Sequence, residues 1–202
     1  MPMAKTHLEK LIAMAQKKGL LHARDVAKEG IPRQYLKIAC EHQALKRLGR
    51  GLYCAPDNLM DENTSLAEVC KVAPRGVICL LSALRFHNFT TQLPHEVWMA
   101  IGEKAHTPKI ETVAIRIVRF SDTTLKSGAE IHTVQGTEIK VFSPAKTVAD
   151  CFKYRNKIGL DVAIEALRDC LRQHKAGIDE LVKYSRICRV EKIMAPYMEA
   201  ML

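Results

Sequence analysis

The segment ARDVAKEGIPRQYLKIACEH, residues 23–42, decides the fold of the first quarter of the chain. It begins with the apolar spacing of a short helix that turns Val26 and Ala27 inward. Gly30 ends this helix, and Pro32 suits the first position of the next one. Two helices separated by a short turn that contains glycine are typical of a helix-turn-helix.

The residues on either side of this segment complete a larger module. Residues 5–18 have apolar side chains at helical spacing, and Leu20-Leu21 predicts a short strand. Residues 44–53 contain two short apolar stretches around Gly49-Arg50-Gly51, which predicts a β-hairpin. A hairpin directly after the second helix of a helix-turn-helix is a wing. The order of elements therefore predicts a winged helix-turn-helix over residues 1–56.

Basic and polar residues on this module point to DNA. Arg33 and Gln34 fall in the first turn of the third predicted helix, the part of a recognition helix that meets base edges. Arginine can donate two hydrogen bonds to guanine, and glutamine can pair with adenine. Tyr35 lies at the border of the apolar face, where its ring packs and its hydroxyl reaches a phosphate. The expected DNA-binding residues are Arg33, Gln34, Tyr35 and Lys37 on the helix and Lys46, Arg47 and Arg50 on the hairpin.

The charge distribution supports this interpretation. Of the 31 lysines and arginines, eleven lie in residues 1–55 with only four acidic residues, whereas twenty lie in residues 56–202 with eighteen. The excess of positive charge is thus concentrated in the first quarter, as expected for a nucleic-acid-binding domain attached to a nearly neutral one.

Other features narrow the class of protein. No apolar run approaches the roughly 18 residues that span a bilayer, and the N-terminus lacks the order of a signal peptide, so we expect a cytoplasmic protein without a membrane partner. The seven cysteines are odd in number and irregularly spaced, and no pair has C-x-x-C spacing. They are expected to be small buried hydrophobes, with no metal or cofactor.

The remainder of the chain is predicted to be a mixed α+β domain over residues 65–202, after a polar linker at 57–64. Alternating or β-branched stretches predict four strands, at 96–101, 112–120, 130–134 and 137–142. Helices are expected at 65–71, within the apolar segment 77–87, and from Ser143-Pro144 onward. Strands followed by helices indicate an α+β fold.

Several side chains in this half are candidates for contacts. Lys146 falls in the first turn of a helix, an unfavourable end for a cation, so it either binds an acidic group or is solvated. Lys153, Arg155 and Lys157 lie in a connection between helices, where they could contact phosphates or a protein partner, or simply be solvated.

No enzymatic motif is evident, so we expect a protein that is not an enzyme. Glu138 and Lys140 have the E-x-K spacing of a metal-dependent nuclease, with Asp122 as a second carboxylate, but this spacing is common by chance. His87 and His132 lack a neighbouring nucleophile, which favours packing or exposure over catalysis.

Several stretches of the sequence resemble the AbiEi family of antitoxins and transcriptional regulators from bacterial abortive-infection systems. These stretches are GIPR (30–33), RGLY (50–53), GVICLLSAL (76–84), TTQLP (90–94), SPAKTVADCFK (143–153) and YRNKIG (154–159). The resemblance implies a repressor of its own operon that binds inverted repeats in double-stranded DNA. It also implies a neighbouring gene for a nucleotidyltransferase-like toxin.

Two functions from different classes therefore remain. The first is a DNA-binding autorepressor and antitoxin, and the second is a protein-interaction module that neutralises a toxin by direct binding. A nuclease is a third and weaker alternative.

Overall fold

The computed structural model describes residues 6–49, 51–56, 63–90, 92, 94–110, 113–134 and 136–201. The chain divides into two compact units. Unit 1 comprises Met1–Val72, Lys109–Val113 and Thr133–Ile139, and unit 2 comprises Ala73–Pro108, Ala114–His132 and Lys140–Leu202. Unit 1 thus extends past Ser65, where the second domain was expected to begin. Most of the predicted linker, residues 57–62, lies outside the described residues.

Unit 1 contains the elements expected from the sequence, in the expected order. The helices are α1 (His7–Lys18), α2 (Ala23–Lys28), α3 (Gln34–Glu41) and α4 (Thr64–Val72), and the strands are β1 (Leu20–His22), β2 (Lys46–Gly49) and β3 (Leu52–Cys54). The strands form an antiparallel sheet in the order β1-β3-β2. The predicted helices, short strand and hairpin are therefore confirmed as elements.

The start of α3 lies two residues later than expected. The N–H of Tyr35 donates to the carbonyl of Pro32 at 3.0 Å, and the N–H of Leu36 donates to that of Arg33 at 3.1 Å. These bonds span three residues rather than four, so Pro32 and Arg33 form a tight turn that leads into the helix.

Apolar residues of the helices and strands form the core of unit 1. Helix α1 begins with a capping box, in which Thr6 accepts from the N–H of Glu9 and the Glu9 carboxylate accepts from the N–H of Thr6. Val26 is buried as predicted, but Ala27 is exposed, because neighbouring residues of an α-helix point about 100° apart. The buried core residues are Leu11, Ala15, Leu21, Val26, Ile31, Leu36, Ala39, Leu45 and Ala55.

The second sheet of the described residues is mixed and has five strands. They are β4 (Val77–Ile78), β5 (Val97–Gly102), β6 (Ile115–Phe120), β7 (Ala129–Val134) and β8 (Thr137–Phe142). Their order in the sheet is β6-β5-β4-β8-β7. β4 pairs antiparallel with β5 and parallel with β8, and β5 pairs parallel with β6. The α+β class is confirmed, and four strands match the predicted ones.

Two of the described helices lie between strands of this sheet in sequence. They are α5 (Leu80–His87), within the apolar segment that was expected to contain a helix, and α6 (Asp122–Lys126), which was not predicted. The helices expected from Ser143-Pro144 onward are confirmed. They are α7 (Pro144–Lys153), α8 (Arg155–Ile158), α9 (Leu160–Arg172), α10 (Ile178–Ile187) and α11 (Glu191–Glu199). Ser143 caps α7 by accepting from the N–H of Lys146, with Pro144 in the first turn, as the sequence predicted.

One glycine is required by the packing of unit 2. Gly128 has φ +74°, and a Cβ there would lie 2.9 Å from the Cβ of Lys146 and 2.9 Å from the ring of Tyr184. Any larger residue would meet both a strained backbone conformation and a steric clash.

Candidate nucleic-acid interface

The outer face of α3 carries three of the predicted DNA-binding residues. Arg33, Gln34 and Lys37 are all exposed, whereas Leu36 and Ala39 of the same helix are buried. The apolar stripe thus fixes the rotation of the helix and directs the polar residues to solvent.

Both cations on this face are available to an external acceptor. Lys37 lies 3.8 Å from Glu41, but its side chain is 84% exposed and that of Glu41 is 61% exposed. An ion pair in such an environment contributes little and is readily exchanged for another partner. The Arg33 side chain has no hydrogen bond or ion pair with any residue that the structure describes. The face therefore presents two long cationic side chains and one amide.

Tyr35 packs as expected from its position at the border of the apolar face. It is half-buried, contacts the core of unit 1 and lies with its ring centroid 5.1 Å from that of His7. The contact of its hydroxyl with a phosphate stays a prediction.

The hairpin adds positive charge beside α3. Lys46 and Arg47 are exposed on β2 and lie opposite Cys54 and Tyr53 of β3. Burial raises the pKa of the Cys40 thiol on α3, and the positive charge of the Arg47 guanidinium offsets part of this effect. Arg47 is therefore close enough to α3 for its charge to act there. Arg50, the remaining predicted hairpin contact, lies outside the described residues.

Lys146 binds an acidic group, as one of the two expectations had it, but it is buried rather than solvated or exposed to a partner. Its side chain is fully buried and forms an ion pair with Asp150 one turn later on α7. Its ammonium also lies 4.2 Å from the centroid of the Phe142 ring and 4.9 Å from that of Phe120. The acidic partner of this unfavourably placed cation lies within its own helix, so Lys146 is withdrawn as a partner or phosphate contact.

The surroundings of this ion pair are buried and polarised. Burial raises the pKa of the Asp150 carboxyl, and Lys146 lowers it in opposition. The Cys188 thiol donates to Asp150 at 3.2 Å, and its pKa is raised to about 12 by burial and by the Asp150 charge. Such thiols are poor nucleophiles. The cluster is therefore a structural one.

The basic residues after α7 have varied environments. Lys153 and Lys157 are exposed, with ammonium groups 6.0 and 5.6 Å from the centroid of the Tyr154 ring. Arg155 is half-buried and donates to the carbonyl of Phe152 at 3.0 Å. The connection was expected to be a loop, but residues 155–158 form the short helix α8. The binding roles of these three residues stay predictions.

The residues considered for catalysis differ in their surroundings. His87 packs at the end of α5, with Nε2 2.8 Å from the carbonyl oxygen of Phe142, and burial lowers its pKa. His132 packs against the ring of Phe86 with 4.9 Å between centroids. These positions confirm the packing interpretation. In the nuclease alternative, Glu138 and Asp122 are exposed and Lys140 is half-buried.

In the described part of the chain, no group of three or more His, Cys, Asp or Glu side chains is arranged to hold a metal ion. Six of the seven cysteines are buried and all seven are free, which confirms their expected role as small core residues.

His22 and Lys71 are polar residues of unit 1 that the sequence patterns did not identify. Both ring nitrogens of His22 face backbone carbonyls, and the Lys71 ammonium donates to the carbonyl of Leu20. The partners lie up to 51 residues away along the chain, so no local pattern could reveal them.

Comparison with known proteins gives a likeness of fold. No protein family and no curated protein matches the chain. The crystal structure of the Rv2827c protein from Mycobacterium tuberculosis is similar over 89% of this chain and 71% of that one, with a TM-score of 0.58 and 12% sequence identity. At this identity the likeness concerns the fold alone.

None of the described helices combines the length and the apolar character needed to cross a bilayer.

Proposed function

We propose that unit 1 contains a winged helix-turn-helix over residues 1–56 and that the chain is a DNA-binding transcriptional repressor. The observation that carries the proposal is the exposed face of α3 with Arg33, Gln34 and Lys37, next to a hairpin that carries Lys46 and Arg47. Helix α3 enters the major groove, and the hairpin lies along the backbone or the minor groove.

The residues divide into those that read bases and those that hold phosphates. Arg33 and Gln34, at the start of α3, reach base edges, where arginine is suited to guanine and glutamine to adenine. Lys37, one turn further along α3, adds a base contact or a phosphate contact. Lys46, Arg47 and Arg50 bind phosphates, which gives affinity without sequence selectivity. Tyr35 supports this arrangement from the border of the core.

The biological role extends this proposal. Because the sequence resembles the AbiEi family, we propose that the chain is an antitoxin that represses its own operon through inverted repeats. Its functional partner is then a nucleotidyltransferase-like toxin from the neighbouring gene. Lys153, Arg155 and Lys157 are the proposed partner contacts in unit 2. The protein acts in the cytoplasm, without a cofactor and without catalysis of its own.

The proposal is tested by DNA binding of the full chain and of two double variants. The probe is a fluorescein-labelled duplex of the region upstream of the gene, and the readout is fluorescence anisotropy. Arg33→Ala with Lys37→Ala removes two positive charges from α3. Arg168→Ala with Lys183→Ala removes the same two types of charge from exposed positions on α9 and α10, and therefore serves as a matched control.

The two variants are expected to behave differently. The α3 variant should lose affinity by at least about 30-fold, since each of the two base or phosphate contacts contributes about 1–3 kcal/mol. The control should stay within about threefold of the wild type, because distant charges act only through a screened field. Equal losses in both variants would mean that net charge alone causes binding, and the proposed interface would be wrong.

A further inference from the structure

His22 occupies the junction between β1 and α2 with both of its ring nitrogens against backbone carbonyls. Nδ1 lies 3.3 Å from the carbonyl oxygen of Gly51, and Nε2 lies 3.3 Å from that of Lys71. A neutral imidazole has a single N–H and can donate to only one of them, whereas an imidazolium donates to both. Both contacts are hydrogen bonds only when the ring is protonated.

The two carbonyls belong to different parts of unit 1. Gly51 lies in the turn of the β2–β3 hairpin with φ +75°, and its carbonyl also accepts from the N–H of Ala23 at 2.8 Å. Lys71 lies in the last turn of α4. His22 therefore ties the turn of the hairpin to the start of α2 and to the end of α4.

Charged groups of both signs surround this junction. The Asp25 carboxylate accepts from the backbone N–H of His22 at 3.4 Å and lies 3.8 Å from the Lys71 ammonium. Burial lowers the pKa of Lys71, Asp25 offsets part of this effect, and Lys18 and Arg24 lower it further. Burial raises the pKa of the Cys54 thiol on β3, and the charge of Glu68, buried one turn earlier on α4, raises it further.

A single proton on His22 thus changes the attachment of the hairpin. When the proton leaves, one ring nitrogen presents a lone pair to a carbonyl oxygen, and that contact becomes repulsive.

We propose that protonated His22 is a positioning residue that fixes the β2–β3 hairpin for DNA, so that affinity for DNA falls as the pH rises. The expected effect on DNA affinity rests on the proposed function. The attachment of the hairpin by His22 does not, and it can be tested without DNA.

The structural part is tested by hydrogen exchange of the Ala23 amide, which donates to Gly51, measured by NMR on the full chain at pH 5.5 and pH 8. After correction for intrinsic exchange, protection should be about tenfold higher at pH 5.5, the effect of one hydrogen bond to a charged group. His22→Gln should abolish this dependence. His42→Gln removes an exposed histidine after α3 and should retain it. Protection that is independent of pH in the wild type, or a dependence that survives in His22→Gln, would overturn the proposal.

The ring itself gives a measurement that needs no variant. The ¹⁵N shifts of His22 at pH 5.5 should show two protonated nitrogens. A neutral ring under that condition, with the hairpin folded, would contradict the proposal.

DNA binding separates this inference from the proposed function. Wild type should bind the upstream duplex about tenfold more weakly at pH 8 than at pH 5.5, and His22→Gln should lose clearly less affinity over the same range. If the chain binds DNA but the exchange protection of the Ala23 amide does not depend on pH, the inference about His22 is wrong and the proposed function stands. If the exchange protection of the Ala23 amide depends on pH but the chain does not bind DNA, the proposed function is wrong, whereas the role of His22 in positioning the hairpin stands.

Discussion

Replacing Lys146 by methionine should destabilise unit 2 severely, because it leaves a carboxylate buried without its partner. The side chains of Lys146 and Asp150 are 0% and 1% exposed, so water cannot compensate for the loss. Breaking a buried ion pair by removing one partner costs about 3–5 kcal/mol. At a typical urea dependence this corresponds to a shift of about 2 M in the unfolding midpoint.

The assay follows the fluorescence of Trp98 during urea unfolding. Trp98 is the single tryptophan of the chain and is buried in the core of unit 2, so its signal reports the unit that contains the ion pair. The double variant Lys146→Met with Asp150→Leu removes both charges and should recover most of the lost stability, since an apolar pair of similar volume is often neutral.

The pH dependence gives an independent check. Burial raises the pKa of the Asp150 carboxyl, and loss of Lys146 removes a charge that lowers it. A carboxyl whose pKa is raised in the folded state stabilises the fold at low pH, and that stabilisation is lost as the pH rises through the folded pKa. The destabilisation of Lys146→Met should therefore be smaller at pH 5 than at pH 8. A loss below about 1 kcal/mol at pH 8, or a double variant no better than the single one, would refute the reasoning.

Other expected outcomes concern DNA binding, packing and thiol reactivity. Arg33→Ala should relax selectivity at one base pair in sites selected from a random library, with a loss of about 1–3 kcal/mol, whereas Lys46→Gln should weaken all sequences alike and reduce the salt slope by about one. Unchanged selectivity in the first case would exclude base readout by that arginine. Gly128→Ala should lower the free energy of unfolding by more than about 2 kcal/mol in thermal denaturation, and Gly30→Ala, at φ +72° with open space around it, by about 1 kcal/mol. A similar loss of stability in the two variants would mean that the neighbours of Gly128 move to accommodate the added methyl group. Among the seven cysteines, half-buried Cys40 should be alkylated first in the native protein, as followed by mass spectrometry, and prior modification of any other would contradict the packing.

The elements of unit 1 could be predicted because their signals are local. The apolar spacing in α1 and the Gly30–Pro32 turn each act within a few residues of the structure they cause. The exposed face of α3 followed from the same periodicity, since burying Leu36 and Ala39 directs Arg33 and Lys37 outward.

The missed features depend on contacts between distant residues or on very short segments. β4 has two residues, both buried, within an apolar run that gives no alternation to recognise. Lys146 was misplaced because its poor position at a helix start suggested an external acid, although the Lys146–Asp150 spacing of one turn was visible in the sequence. The role of His22 depends on Gly51 and Lys71, 29 and 49 residues away.

The salt dependence of binding by the unmodified chain tests the central claim most directly. If Lys37, Lys46, Arg47 and Arg50 neutralise phosphates, log K should fall linearly with log of the salt concentration, with a slope of about −3 to −4 per bound chain. Affinity for the upstream duplex should then drop about 100-fold between roughly 50 and 200 mM salt. An affinity for the duplex that does not change with salt concentration would contradict the account, because counterions compete with the protein for the phosphates.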